Sequence, residues 1–315
     1  MKKLLITRQL PEANLATART RYDVTVRRET VGLTVAEAQA ALAAYDAILV
    51  TLGDQFTEEA FSGNLRCGVL ANFGVGYNHI DADAAAKAGV AVSNTPDVVT
   101  DATADIGMTL ILSACRRAGE GERLVRADKW TGWEPTQMLG THVTGKTVGI
   151  VGMGRIGQAV ARRCHYGFEM PVLYFNRSQK SVEFPARQMD SLQSLMAQAD
   201  IIVVTVPGGG ANTALIDMDA LAAMKPTGIF VNIARGDVVD EPALIKALAN
   251  RQIGGAGLDV YAKEPRVPDA LRALENVVLL PHLGTAALEV REAMGQMALD
   301  NIFAWDDGRP LPQAV

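Results

Sequence analysis

Short apolar runs rich in Val, Ile and Leu recur along the chain, separated by Ala- and Leu-rich stretches of helical period. In the first hundred residues they are Lys3 to Ile6, Ala47 to Thr51 and Gly68 to Asn72. Nearly continuous apolar character predicts strands buried on both faces, as in parallel sheets covered by crossover helices. A denser series follows: Thr147 to Val151, Val172 to Phe175, Ile201 to Val206, Gly228 to Asn232, Gly255 to Asp259 and Val277 to Leu280. This second series predicts a doubly wound α/β sheet. Between the series, Asp101 to Cys115 reads as an apolar helix, Arg116 to Lys129 as a charged run, and Trp130 to Gly145 as a polar loop. Ala287 to Trp305 has helical period, so a long final helix is expected to return to the first domain.

A length of 315 residues agrees with two domains. The composition, 49% hydrophobic and 21% charged, is that of a globular chain with a large core. A formal net charge of -5 supplies neither a basic stripe for nucleic acid nor a polybasic membrane anchor, so a small-molecule partner is expected. Cys67, Cys115 and Cys164 are odd in number and form no CxxC pair; they read as reduced core thiols, with no metal site. The apolar run near Met1 is too short for a signal-peptide core, and no run approaches the roughly 18 apolar residues of a membrane span. A cytoplasmic location is the simplest expectation.

Gly152, Gly154 and Gly157 form G-x-G-x-x-G, with a Val/Ile strand running into the motif and a helical pattern leaving it. That context makes a dinucleotide site the expected reading against a merely structural turn. Gly152 would permit the tight turn, Gly154 the approach of backbone to a pyrophosphate, and Gly157 close helix–strand contact. The helix N-terminus would then offer N–H groups to phosphate. These two sequence regions predict two Rossmann-like domains: a discontinuous substrate domain, 1–97 and 289–315, with a dinucleotide-binding domain, 98–288, inserted into it.

After the next strand an NAD-selective site would place an acid against the ribose 2′-hydroxyl. Asn176, Arg177 and Ser178 stand there instead. Asn176 cannot repel a 2′-phosphate, Arg177 offers a planar fork of donors, Ser178 a hydroxyl, and Lys180 a further charge. The expectation is an NADP-preferring site with NAD possible; a solvated turn is the competing reading of the same residues.

Three further segments carry chemistry just beyond strand ends: Asn232 to Gly236, Gly257 to Pro265 and Leu280 to Thr285. Open α/β sheets place their sites there. With Asn72-Phe73-Gly74-Val75-Gly76-Tyr77-Asn78-His79-Ile80-Asp81 and the glycine turn, these segments resemble the D-isomer-specific 2-hydroxyacid dehydrogenases nearly end to end, most of all their glyoxylate/hydroxypyruvate reductase branch. The resemblance implies a catalytic set of Arg235, Glu264 and His282, with Val75 and Gly76 offering N–H groups to the substrate carboxylate. It also implies cofactor contacts from Arg155, Ile156, Val206, Pro207, Ile233, Ala234, Arg235, Asp259, His282 and Gly284.

The roles fit the chemistry of those side chains. Arg235 can pair with a 2-oxo acid carboxylate, and His282 can protonate the carbonyl oxygen. Glu264 beside His282 would favour imidazolium and fix the ring. Duller readings are a surface cation for Arg235, a capping acid for Glu264 and a turn acid for Asp259. His79, His142 and His165 read as turn or core residues. Gly208-Gly209-Gly210 departs from the longer polar side chains of the resembled family and predicts a mobile loop. Trp130 and Trp133 fall where the resemblance places an arm packed on a second subunit, so a homodimer is expected. The function expected is NAD(P)H-dependent reduction of glyoxylate or hydroxypyruvate to the D-2-hydroxy acid. The alternatives are a 2-oxogluconate reductase or a nucleotide-sensing, corepressor-like binding protein; a formate dehydrogenase would resemble this chain except for Gln in the place of Glu264.

Overall fold

The computed structural model describes residues 1–315, which form two compact units, Met1–Val99 with Thr285–Val315, and Thr100–Gly284. The first unit thus consists of two chain segments flanking the second in sequence. Its five strands are β1 (Lys3–Ile6), β2 (Asp23–Val26), β3 (Ala47–Val50), β4 (Val69–Asn72) and β5 (Ala91–Ser93). They form a parallel sheet in the order β2-β1-β3-β4-β5. Alternation explains the unbroken apolar runs: Leu4, Ile6 and Leu49 enter one core with Leu15 and Ile302, while Leu5, Ile48 and Val50 enter another with Leu42 and Phe56. Strands β2 and β5 are additions to the sequence reading. Both are sheet edges, the first half-exposed and polar in alternation, the second three residues long, so neither shows the double-sided apolar signal.

The last helix, Leu288–Asp306, belongs to this first unit. A Cβ on Gly295 would fall 2.4 Å from Asn14 Cγ, so this helix comes against the Glu12–Arg19 helix at a glycine. Asn14 Nδ2 donates to Glu292 O at 2.9 Å across the same contact.

The second unit has seven strands: β6 (Val148–Val151), β7 (Val172–Phe175), β8 (Ala186–Gln188), β9 (Ile201–Val204), β10 (Ile229–Asn232), β11 (Gly255–Leu258) and β12 (Val277–Leu279). Their order, β8-β7-β6-β9-β10-β11-β12, runs outward in both directions from β6 and β9, which defines the topological switch point of a doubly wound sheet. Strand β8 is the one the apolar pattern did not predict, because Ala-Arg-Gln at an edge is mostly polar. The Thr100–Cys115 helix lies close on the sheet, with Leu110 Cβ 2.8 Å from where a Cβ of Gly257 would stand. Within the charged run, Ala118–Arg126 forms a helix with no buried residue, and Trp130 and Trp133 beyond it are exposed.

All three cysteines are buried and free. Burial pushes the Cys115 thiol up to about 11 and those of Cys67 and Cys164 to about 12, so they stay protonated and unreactive near neutral pH. No helix is long and apolar enough to cross a membrane. No group of three or more His, Cys, Asp and Glu side chains is arranged to hold a metal ion.

Candidate active site

At the switch point the chain leaves β6 through Gly152, whose φ of +97° lies in the region that favours glycine. A Cβ there would also stand 2.7 Å from Val206 Cγ1, in the segment that leaves β9. At Gly157 a Cβ would fall 2.2 Å from Gly152 O and 2.8 Å from Thr205 Oγ1, so the helix could not lie so close to the turn with any other residue. Gly154 differs, since nothing lies within 4 Å of its missing Cβ. The helix it opens, Arg155–Phe168, has no side-chain cap. Open space over an uncapped N-terminus of a fourteen-residue helix fits a pyrophosphate. Thr205, which the sequence reading passed over, donates its hydroxyl to Gly152 O at 2.6 Å and braces the turn.

The end of β7 is tied to this turn. Asn176 Oδ1 accepts the Met153 N–H at 3.2 Å, and Asn176 Nδ2 donates to Ser178 O at 2.8 Å. Asn176 therefore shapes the loop with both ends of its amide. Arg177 and Ser178 are exposed beside it, and the Arg177 guanidinium makes no hydrogen bond or ion pair. Lys180 is held through its backbone, its N–H donating to Tyr174 Oη at 3.1 Å.

Three adjacent strands, β10, β11 and β12, deliver the other candidates at their carboxyl ends. Beyond β10, the buried Asn232 acts as a template: its Oδ1 accepts the Ala234 N–H and its Nδ2 donates to Arg235 O, both at 3.0 Å. Ile233 and Ala234 between them are buried in separate apolar cores. A Cβ on Gly236 would fall 1.9 Å from the carbonyl carbon of Tyr261, so glycine lets the Arg235 loop lie directly on the β11 loop. Gly208 also has a packing reason, because its Cβ would be 2.8 Å from Arg235 Cγ. The glycine-rich segment expected to be mobile is anchored: Asp237 Oδ2 accepts the Gly209 N–H at 2.7 Å, and Asn212 Nδ2 donates to Pro207 O at 3.0 Å. Burial lowers the Arg235 pKa, against the opposing charges of Glu264 and Asp237. A guanidinium nonetheless remains charged.

Beyond β11, Asp259 is buried, and its two carboxylate oxygens accept the N–H groups of Leu283 and Gly284 at 2.6 and 2.8 Å. Its own carbonyl accepts the His282 N–H at 2.9 Å. Asp259 thus clamps the histidine loop, which gives the turn-acid reading a concrete form, and its remaining lone pairs could still meet a ligand amide. Burial raises its pKa, opposed by those two N–H groups and by His282. Tyr261, also absent from the sequence reading, donates its hydroxyl to Leu280 O at 2.8 Å and its N–H to Glu264 Oε1 at 3.1 Å. One residue thereby braces Glu264 and the strand end that leads to His282.

His282 and Glu264 form a hydrogen-bonded pair, with Nδ1 and Oε2 separated by 2.8 Å. Burial raises the Glu264 pKa, but the His282 hydrogen bond and charge, the Tyr261 N–H and Arg235 outweigh it and hold the carboxyl below its ordinary range. An ionised carboxylate only accepts, so Nδ1 carries the proton in this contact and Nε2 is the nitrogen available for chemistry. His282 has φ of +55°, a left-handed conformation uncommon for a residue with a side chain. Such backbone persists where surroundings over-determine it, and here the Asp259 clamp does so. Arg235, Glu264 and His282 are therefore brought together in the second unit, and Val75 and Gly76 lie in the first, on the loop after β4. A cavity of about 570 Å³ lies at the opposite end of the sheet, lined by Arg117, Thr227, Arg251 and Asn276, and includes none of these residues.

The sheet order, the glycine turn and the three strand-end loops define a nucleotide-binding dehydrogenase architecture. The profile of the D-isomer specific 2-hydroxyacid dehydrogenase NAD-binding domain matches residues 108–284, and the chain belongs to that family. It is 40% identical over 320 residues to the glyoxylate reductase of Pyrococcus furiosus, covering 99% of this chain and 95% of that protein. To the glycerate dehydrogenase of Hyphomicrobium methylovorum it is 37% identical over 321 residues, covering 100% and 99%. Its fold is similar to the NADPH-dependent glyoxylate/hydroxypyruvate reductase of Sinorhizobium meliloti, solved with NADP and malonate. There the TM-score is 0.89 at 32% identity, over 100% of this chain and 96% of that one.

Proposed function

We propose that this enzyme reduces a small 2-oxo acid, glyoxylate or hydroxypyruvate, to the D-2-hydroxy acid, and that it prefers NADPH. The observation that carries the reading is the ionised Glu264 hydrogen-bonded to His282 beside the half-buried Arg235, on adjacent strand ends of a sheet whose switch point bears the glycine turn. The names of the relatives agree with that substrate class.

Gly152, Gly154, Arg155, Ile156 and Gly157 would hold the pyrophosphate, with Val206 and Pro207 across the switch point. Ile233, Ala234, Asp259 and Gly284 would meet the nicotinamide end. When bound, the reduced nicotinamide supplies a hydride to the carbonyl carbon. Arg235 binds the substrate carboxylate and draws charge toward the carbonyl oxygen. His282 Nε2–H donates the proton that oxygen needs, while Glu264 holds the ring through Nδ1 and offsets the imidazolium charge. Val75 and Gly76 supply backbone N–H groups to the carboxylate. The NADPH preference rests on the unpartnered Arg177 beside the glycine turn and on the lack of an acid at the end of β7. The exposed Trp130 and Trp133 support a homodimer, and a cytoplasmic setting suits the enzyme.

The test is NADPH and NADH oxidation with glyoxylate, hydroxypyruvate and 2-oxogluconate, in the wild type and Arg177→Ala. Turnover of the smaller acids, with kcat/KM for NADPH falling at least tenfold in the variant and that for NADH unchanged, is expected. Tight cofactor binding without turnover of any 2-oxo acid would instead favour a nucleotide-sensing binding protein. Equal efficiency with both cofactors in the wild type would remove the 2′-phosphate assignment.

A further inference from the structure

The loop after β4 in the first unit has an asymmetry between its carbonyl and N–H groups. Asn72, 1% exposed at the end of β4, donates Nδ2 to Gly74 O at 2.8 Å and to Gly76 O at 3.1 Å. Two carbonyl acceptors fix which end of that amide is nitrogen. From the neighbouring strand end, Asn94 Nδ2 donates to Val75 O at 2.9 Å, and the Thr95 N–H donates to Gly74 O at 3.1 Å. Three successive carbonyl oxygens, those of Gly74, Val75 and Gly76, are thus drawn onto protein donors. The N–H groups of Val75 and Gly76 donate to no protein acceptor. Successive backbone N–H groups freed in this way form a concave anion site, because each is a partial positive charge with an unmet hydrogen bond.

Asn72 bears a cost in this arrangement. Its Oδ1 is buried with no partner, a state that natural cores largely avoid. A residue kept only for packing at this position would be better replaced by an apolar side chain of the same shape.

We propose that Asn72 and Asn94 are positioning residues for substrate binding: by holding the carbonyls of residues 74 to 76, they present the Val75 and Gly76 N–H groups to the carboxylate of the 2-oxo acid. This rests on the assignment of Val75 and Gly76 as carboxylate donors given above. Neither asparagine touches the substrate. Their effect is on carboxylate affinity and leaves the NADPH affinity and the protonation chemistry alone.

The test uses full-length Asn94→Ala, whose residue is half-exposed, and Asn72→Ala. Steady-state kinetics with glyoxylate is combined with inhibition by oxamate, which carries the same carboxylate. The KM for glyoxylate and the Ki for oxamate are expected to rise together, about threefold or more for Asn94→Ala and tenfold or more for Asn72→Ala. kcat and the KM for NADPH should stay within twofold. A merely structural role would lower the active fraction, and hence kcat, without moving the Ki. Wild-type KM and Ki in folded Asn94→Ala and Asn72→Ala would overturn the proposal; if Asn72→Ala does not fold, Asn94→Ala decides it alone. Failure of the functional reading is separate, since it appears as absent glyoxylate turnover in the wild type.

Discussion

Two candidate functional regions share the carboxyl edge of the second sheet and are made of different materials. The glycine turn after β6 works through side chains that are missing: Gly152 and Gly157 admit close backbone packing, and Gly154 leaves open space over a helix terminus. The Arg235, Glu264 and His282 loops work through side chains held in place by other buried polar groups. Asn232 folds the first loop, Asp259 clamps the third, and Tyr261 braces Glu264 and the approach to His282. Backbone geometry alone can bind a phosphate, whereas proton transfer needs titratable groups in a set orientation.

The largest effect that would sharpen this contrast is on the proposed proton donor. His282→Ala should lower kcat by about 10²- to 10⁴-fold, with the NADPH Kd, read by fluorescence titration, within about twofold of wild type. Parallel loss of NADPH binding would show that the histidine loop and the turn are one structural unit, and the contrast would fail.

Within the turn the glycines should separate. Gly157→Ala places a Cβ against Gly152 O and should cost about 1–3 kcal/mol in urea unfolding. Gly154→Ala meets nothing, so its stability should change by less than about 0.5 kcal/mol. Its NADPH Kd should nevertheless rise at least tenfold, about 1.4 kcal/mol. A destabilised Gly154→Ala with unchanged Kd would contradict the reading of that open space.

The smallest effect concerns pH. The Glu264 carboxyl is held below its ordinary value of 4.5, so the unfolded chain takes up that proton at a higher pH than the folded one. The stability contributed is fully present above the ordinary value and is lost as pH falls through the lowered one. Glu264→Gln should therefore flatten the acid limb of stability in urea titrations as pH falls below the ordinary carboxyl value of 4.5. It should also reduce kcat/KM near neutral pH by roughly tenfold or more, since an amide cannot offset the imidazolium charge. An unchanged acid limb would mean that the His282–Glu264 contact does not form in solution.

Legibility in the sequence followed the range of the interaction. The buried central strands were readable because burial on both faces leaves a continuous apolar run. Edge strands β2, β5 and β8 were not, because they are polar in alternation or only three residues long, whereas the edge strand β12 keeps an apolar run. The glycine spacing gave the distinct jobs of Gly152 and Gly157 in advance, since a strand–turn–helix is local. Asn176 read as part of a phosphate clamp, and its amide turns out to tie the β7 loop to Met153, a contact made across 23 positions of chain.

By itself the sequence determined the parallel α/β class and the strand ends on which Arg235, Glu264 and His282 would stand, because periodicity and turn chemistry are written over a few neighbouring residues. Only the tertiary structure decided which polar residues hold those side chains in place. Asn232, Tyr261 and Asn72 look like ordinary strand-end residues, and Asp259 like a cofactor contact or turn acid, until the hydrogen bonds they make are seen. Of these, the Tyr261 to Leu280 and Asp259 to Gly284 contacts join segments 19 and 25 residues apart in the chain. Such bonds depend on the register of β11 beside β12, which no local pattern encodes.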